Sequence, residues 1–227
     1  MDKIFTKNIE HESAVKHVTG KAIYTDDISE PKNLLHAVIG YSNCSKGVIK
    51  KIDYKDVLSS EGVVDIITEK DIKGINDVGP IFKGDKIFTS KNIEYYGQPI
   101  FAVIAKTNNL AKKAALKVKI DLKISKPIVS IEEALKKKSF VLKPKYLTRG
   151  NIKDGFKRSD NFLKGKLYSG GQDHFYLEGQ IAMTIPQEDN NFLVYSSTQH
   201  PSETQQIIGK VLKLSLIHIS EPTRRLV

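Results

Sequence analysis

The sequence predicts a protein of the mixed α/β and α+β class, in which a small α/β domain is followed by the start of an α+β domain. Strand and helix patterns alternate between residues 34 and 123. Within this region, residues 100–105 form a continuous apolar run, which is typical of a strand covered on both faces. Two later apolar runs, separated by polar turn residues, are typical of a β-hairpin. These three observations predict the fold class.

The first domain is predicted to contain five strands and two helices in a βαβ-type alternation. The strands are expected at residues 34–41, 47–52, 63–68, 100–105 and 119–123. A short helix is expected at residues 54–60, and Thr107 can cap a second helix whose apolar residues recur at helical spacing. A helical turn is expected at residues 69–72. Residues 8–21 are predicted to be a polar loop and residues 74–92 a long excursion over the surface.

A connector and a second set of elements follow. Ser130 with Glu133 three positions on forms a capping box, which predicts a short helix. A strand at residues 167–169 is expected to lead into two glycines. The hairpin strands are expected at 181–186 and 192–196, and a helix at 202–212.

Composition excludes several classes of protein. With 227 residues, 40% of them hydrophobic and 27% charged, the chain is predicted to fold around a core. No apolar run is long enough to span a bilayer, and the first residues lack the apolar core of a signal peptide. The single Cys44 cannot form an internal disulfide, so we expect a cytoplasmic protein without a membrane partner.

The net charge of +10 raises the possibility of nucleic-acid binding. Most of the 36 basic residues are scattered lysines, however, and no RNA-binding aromatic signature accompanies them. A lysine-rich composition or a docking face for an acidic partner subunit explains the charge at least as well. We therefore expect no nucleic-acid partner, and keep RNA binding as an alternative that salt dependence would test.

The densest polar segment is at residues 170–180, which read GGQDHFYLEGQ. The two glycines allow the backbone and the polar groups after them to approach a large ligand closely. The predicted hairpin would return the chain and place a second polar cluster, residues 197–201, beside the first. We therefore expect the two clusters to face one cavity.

Other polar residues are better explained by structural roles. His11 and His17 have no partner at the spacing that a zinc site requires. One acidic pair, Asp26 and Asp27, is weak support for calcium binding. Nothing near Cys44 indicates a reactive thiol, and a glutamine just before a proline, at position 98, commonly ties down its own turn.

The polar segments at 170–180 and 197–201 resemble the molybdenum-binding subunit of xanthine dehydrogenases. The resemblance is carried by GGQ-x-HFYLE-x-Q at 170–180 and STQHP at 197–201, and it extends through residues 13–28, 76–80 and 96–99. It implies that the first domain is the hammerhead α/β domain of that family, which carries no catalytic groups. It also implies that the second domain is the start of a molybdopterin-binding α+β domain.

The resemblance identifies Gln172 as the glutamine whose amide hydrogen-bonds the oxo group of molybdenum, without being a direct metal ligand. A neutral amide suits this role because it donates a hydrogen bond and does not titrate. For His174 and Glu178, a packing role is better supported than a role as a catalytic pair, since the family uses a glutamate much later in its chain as the base. Gln199 and His200 could line the cavity without a catalytic role.

The resemblance also implies the reaction and the cofactors. The family hydroxylates a purine, hypoxanthine or xanthine, with oxygen derived from water. Electrons pass from molybdenum–molybdopterin, with or without a dinucleotide extension, through 2Fe-2S centres and FAD to NAD. No cysteine-rich region precedes the motifs, so we expect the iron–sulfur and FAD groups on partner subunits or domains. The pterin-binding glycine loop, the substrate-orienting arginine and the catalytic glutamate of the family are expected past residue 227. We therefore predict no catalytic residue within this chain, and no activity of this chain alone.

The predicted organisation has five parts: a leader loop at 1–20, the hammerhead domain at 21–125, a connector at 126–150, part of the molybdopterin-binding domain at 151–214, and a tail at 215–227. The tail resembles translated adapter sequence. Two other functions stay open. The chain could belong to an aldehyde oxidase or another molybdenum hydroxylase, or it could be a non-catalytic scaffold for subunit docking.

Overall fold

The computed structural model describes residues 11–214, so the first ten residues of the predicted leader and the whole predicted tail lie outside the described residues. The regular elements of the first half of the chain are α1 (Ala14–Val18), a 3-10 turn (Thr25–Asp27), β1 (His36–Tyr41), β2 (Gly47–Asp53), α2 (Lys55–Leu58), β3 (Val63–Thr68), a second 3-10 turn (Glu69–Asp71), β4 (Asn92–Ile93) and β5 (Pro99–Ala105). They are followed by α3 (Asn108–Ala115), β6 (Lys119–Ile124), α4 (Ile131–Lys136), α5 (Ile152–Lys157), β7 (Ala182–Pro186), a third 3-10 turn (Glu188–Asn190), β8 (Phe192–Ser196) and α6 (Pro201–Leu212). None of the described helices is both long and apolar enough to cross a membrane.

The described strands form two three-stranded sheets and one hairpin. The strand orders are β1-β5-β3, β4-β2-β6 and β7-β8, and every pairing among the described strands is antiparallel. Helix α3 connects β5 to β6, and these strands lie in different sheets. The alternation of strands and helices therefore does not produce a parallel pair, even though strands β1, β2, β3, β5 and β6 occur where the sequence predicted them.

Strand β5 is the central strand of the core, as its apolar run predicted. It lies between β1 and β3, and Ile100, Phe101 and Val103 are almost fully buried. Helix α3 packs on this sheet through Ala111 and Ala114, whose small side chains allow a close approach. The Thr107 hydroxyl caps the helix by accepting a hydrogen bond from the Leu110 N–H at 3.3 Å. Both the strand and the predicted cap are thus confirmed.

Phe101 packs edge-to-face on Tyr54, with 5.2 Å between the ring centroids. Burial, assisted by the negative charge of Asp71, raises the pKa of the Tyr54 hydroxyl to about 12. The unfolded chain has the ordinary pKa of about 10 and loses this proton first as the pH rises. Tyr54 therefore contributes stability that is complete below about pH 10 and is lost as the pH rises towards 12.

We predict that Tyr54→Phe will weaken the fall in stability between pH 9 and pH 11.5, because it removes this ionisable group. Urea denaturation at both pH values checks the expectation. Absorbance titration at 295 nm should show one of the nine tyrosines ionising last in the natural chain, and this late step should disappear in the variant. Unchanged titration curves would contradict the assignment.

The described residues divide into two compact units, the first formed by residues 11–126 and 177–214 and the second by Pro127–Tyr176. The second unit contains α4 and α5. The Ser130 hydroxyl accepts from the Glu133 N–H at 3.2 Å, which confirms the predicted cap of α4. Helix α5 was not predicted, although Asn151 caps it by accepting from the Lys153 N–H at 3.1 Å. The domain boundaries stay predictions.

Two predictions on local structure were wrong. The first is the strand expected at residues 167–169. No described strand pairs with these residues, and Leu167 and Tyr168 are about nine-tenths exposed. A β-prone run without a partner strand leaves its backbone groups to water. The second wrong prediction is the loop at 8–21, which contains α1. The helix predicted at 54–60 is confirmed, with shorter bounds, as α2.

The hairpin and the helix after it occur as predicted. Strands β7 and β8 pair in antiparallel register from Ala182 opposite Ser196 to Pro186 opposite Phe192. Helix α6 then ends against a loop of the same unit, because the N–H of Gly74 donates to the Val211 carbonyl at 2.8 Å. A Cβ at position 74 would collide with the Lys210 carbonyl, so this contact with the end of the helix requires glycine.

Candidate cofactor-binding site

Gln172 lies in an exposed, irregular stretch of the unit Pro127–Tyr176. A Cβ added at Gly170 or Gly171 would meet no heavy atom within 4 Å, so the backbone there is open to close approach by a ligand. The Phe175 N–H donates to Asp173 Oδ1 at 3.4 Å, and Phe175 adopts a left-handed conformation with φ of 49°. The described geometry therefore presents Gln172 just before a local turn. Its role towards a cofactor stays a prediction.

Glu178, at the end of the HFYLE string, contacts a distant motif. Its Oε1 accepts a hydrogen bond from the backbone N–H of Thr25 at 3.2 Å, and both residues are half-buried. The contact joins residues that are 153 positions apart, so no local pattern in the sequence could have indicated it. The carboxylate of Glu178 thus has a structural partner, and His174 is exposed.

The STQHP string turns the chain from β8 into α6. Ser197 closes the base of the hairpin, because its Oγ accepts from the Ile181 N–H at 3.0 Å and its own N–H donates to the Ile181 carbonyl at 3.1 Å. His200 Nδ1 accepts from the Glu203 N–H at 3.3 Å, which caps α6. Gln199 is exposed. The prediction that this string faces one cavity with Gln172 stays a prediction.

The string at residues 76–80 fixes the excursion between β3 and β4. The side chain of Asn76 makes two bonds to the backbone of Phe88, donating at 2.8 Å and accepting at 3.1 Å. The Asp77 carboxylate accepts from the N–H groups of Gly79 at 2.8 Å and Gly84 at 2.6 Å. These backbone donors hold the pKa of Asp77 below its ordinary value. The sequence identified this string but no role for it, and its role in the structure is to order a loop.

Gln98 has the structural role that the sequence predicted. Its side chain is buried, and Oε1 accepts from the Glu94 N–H at 2.8 Å. Its backbone N–H donates to Ser42 Oγ at 3.1 Å, and Ser42 Oγ in turn donates to the Tyr95 carbonyl at 3.0 Å. A buried amide with these partners orders its own turn and the end of β1.

The remaining candidates also have local partners. His11 Nδ1 accepts from the Ser13 N–H at 3.1 Å, and His17 Nδ1 lies 3.2 Å from the Tyr24 hydroxyl. The Asp27 carboxylate accepts from the Tyr24 N–H at 2.9 Å, which closes the 3-10 turn. Cys44 is a buried free cysteine. Among residues 11–214, no three His, Cys, Asp or Glu side chains form a group that could hold a metal ion.

Two cavities in the first unit are lined by residues outside the polar segments at 170–180 and 197–201. One, of about 740 Å³, lies where α6 meets Gly74 and is lined in part by Gln206 and Lys210. The other, of about 810 Å³, lies between α3, β1 and β6 and has mainly apolar walls, with Lys112 and Tyr96 among its lining residues. Gln172 lines neither cavity.

Comparison with known families matches two domain descriptions along the chain. Residues 19–126 match the a/b hammerhead domain of aldehyde oxidase and xanthine dehydrogenase, and residues 134–225 match the molybdopterin cofactor-binding domain. The first range contains both three-stranded sheets. The second contains Gln172, the hairpin and α6.

Similar proteins of both named activities are found. The chain is 38% identical over 207 residues to a xanthine dehydrogenase of Dictyostelium discoideum, covering 91% of this chain and 15% of that protein. It is 36% identical over 219 residues to aldehyde oxidase 2 of Rattus norvegicus, covering 96% of this chain and 16% of that protein. The structure of the aldehyde oxidoreductase from Desulfovibrio gigas matches with a TM-score of 0.78 and 26% identity, over 92% of this chain and 25% of that chain. The chain thus spans about one sixth of the length of these curated relatives.

Proposed function

Because the chain belongs to the aldehyde oxidase and xanthine dehydrogenase family, we propose that it is part of a molybdenum hydroxylase that acts on a purine, hypoxanthine or xanthine. The reaction replaces a C–H bond of the substrate by C–OH, with the oxygen taken from water. Two electrons then pass through 2Fe-2S centres and FAD on partner subunits or domains to NAD⁺, giving NADH and a proton. The similarity to the Dictyostelium xanthine dehydrogenase carries the choice of substrate.

Gln172 is the residue of this chain that we assign to the cofactor. When bound, molybdenum–molybdopterin supplies the redox chemistry and activates the water-derived oxygen. The donor set here fits that group: the carboxamide is exposed and uncharged, and the glycines before it leave room for a bulky ligand. Gln172 would hold the group by donating a hydrogen bond to a metal oxo ligand, without coordinating the metal.

The organisation and location of the protein belong to the same proposal. We assign residues 21–125 to the hammerhead domain, 126–150 to a connector and 151–214 to the molybdopterin-binding domain. We place the protein in the cytoplasm, because a single buried free cysteine is what a reducing compartment allows. The proposed partners are the subunits or domains that carry the iron–sulfur and FAD groups, together with the purine substrate.

The test uses the full-length protein that contains this chain, with its molybdenum content measured. Xanthine and an aromatic aldehyde are supplied in turn in ¹⁸O-labelled water, and the product is analysed by mass spectrometry. We expect labelled product from xanthine together with NAD⁺ reduction. The similarity to rat aldehyde oxidase 2 favours a second candidate, an aldehyde oxidase, and labelled product from the aldehyde alone would establish it. No turnover by molybdenum-loaded protein would favour a non-catalytic scaffold.

A further inference from the structure

Glu178 follows a long exposed stretch of chain and bonds to a residue early in the sequence. Residues 135–177 are all exposed, and Glu178 is the next half-buried residue after Ala134. The chain returns to the first unit at Leu177. The hydrogen bond from the Thr25 N–H to Glu178 Oε1 therefore lies at the point of return.

The donor in this contact needs an external partner. Thr25 is the first residue of a 3-10 turn, and the N–H groups in the first turn of a helix have no acceptor within it. The neighbouring N–H of Tyr24 is already paired with Asp27. Glu178 accepts from the next N–H, that of Thr25. An ionised carboxylate forms a stronger hydrogen bond with a backbone N–H than a neutral acceptor does.

The parts on either side of this contact are themselves held in place. The Tyr24 hydroxyl lies 3.2 Å from His17 Nδ1, which connects the turn to α1. Three residues after Glu178, Ile181 is bonded to Ser197 at the base of the hairpin. Glu178 therefore joins two ordered parts of the first unit, the motif at residues 13–28 and the hairpin.

We propose that Glu178 is a positioning residue for Gln172, an inference that rests on the proposed function. Six positions separate the two residues, so an extended chain would place them no more than about 20 Å apart. Fixing Glu178 on Thr25 restricts the conformations open to the segment that carries Gln172. A donor restricted in this way loses less entropy when it binds a ligand. Glu178 itself touches neither substrate nor cofactor in this proposal.

The test uses the full-length, molybdenum-loaded protein with Glu178→Ala, Glu178→Gln and, as a matched control, Glu188→Ala. Glu188 is an exposed glutamate in the hairpin turn of the same unit. Two quantities are measured: amide hydrogen exchange in the peptide that contains Thr25, and the rate of molybdenum loss on dialysis. We expect Glu178→Ala to raise both rates by roughly tenfold, the fold-change that corresponds to the loss of one hydrogen bond to a charged group. Glu178→Gln keeps a carbonyl acceptor, so both rates should stay close to those of the natural protein. Glu188→Ala should change neither rate. An unchanged exchange rate at Thr25 in Glu178→Ala would overturn the proposal.

A double variant separates positioning from general stability. If Glu178 acts through Gln172, adding Glu178→Ala to Gln172→Ala should not accelerate molybdenum loss further. Fully additive effects would show a structural role alone and overturn the inference. If Gln172→Ala accelerates the loss and Glu178→Ala does not, only the positioning role falls. If Gln172→Ala leaves the loss unchanged, the assignment of Gln172 in the proposed function falls as well.

Discussion

Phe101→Ala should lower the free energy of unfolding of this chain by about 3–5 kcal/mol. The aromatic ring is fully buried at the centre of β5 and packs edge-to-face on Tyr54. It also fills the space above Gly40, where even an added Cβ would collide with the ring. Removing the ring leaves a cavity that the two flanking strands cannot close without shifting their backbones. Urea denaturation followed by far-UV circular dichroism measures the loss.

Phe82→Ala is the matched control, because Phe82 is 56% exposed in the loop between β3 and β4. Its removal should change the free energy of unfolding by about 0.5 kcal/mol or less. Equal losses for the two variants would contradict the description of β5 as the centre of the core.

Gln172→Ala should lower kcat/KM of the full-length, molybdenum-loaded protein by about 10-fold to 100-fold, the usual cost of removing an outer-shell partner of a metal. The substitution removes the carboxamide donor and leaves the backbone unchanged. Gln172→Glu should lower it similarly, because a carboxylate cannot donate and would repel an oxo oxygen. Steady-state kinetics with xanthine, normalised to molybdenum content, measure the effect.

Gln187→Ala serves as the control for this prediction, since Gln187 is also an exposed glutamine but lies at the hairpin turn, outside the strings that carry the resemblance. Its kcat/KM should stay within about twofold of the natural protein, since an exposed side chain without an assigned contact with the cofactor contributes little. Unchanged kinetics in Gln172→Ala, or an equal loss in Gln187→Ala, would contradict the assignment of Gln172.

The local elements could be predicted because their signals are short-range. Caps at Thr107 and Ser130 depend on a hydroxyl and an N–H three residues on, and both bonds are observed. The hairpin between β7 and β8 was predictable because two apolar runs flank a polar turn. The role of Gln98 was predictable because the amide bonds within its own turn, to the Glu94 N–H. The predicted strand at 167–169 failed because a strand requires a partner, and propensity alone does not supply one.

The sequence by itself determined where most strands and helices form, the apolar strand at the centre of the core, and the family to which the chain belongs. Its motifs also identified Gln172 as a cofactor-binding candidate. The tertiary structure alone decided that the strands pair antiparallel in two sheets, and that Glu178 bonds to Thr25. Caps, turns and periodicity depend on neighbours within a few residues, whereas sheet order and contacts over 153 positions depend on which distant surfaces pack together.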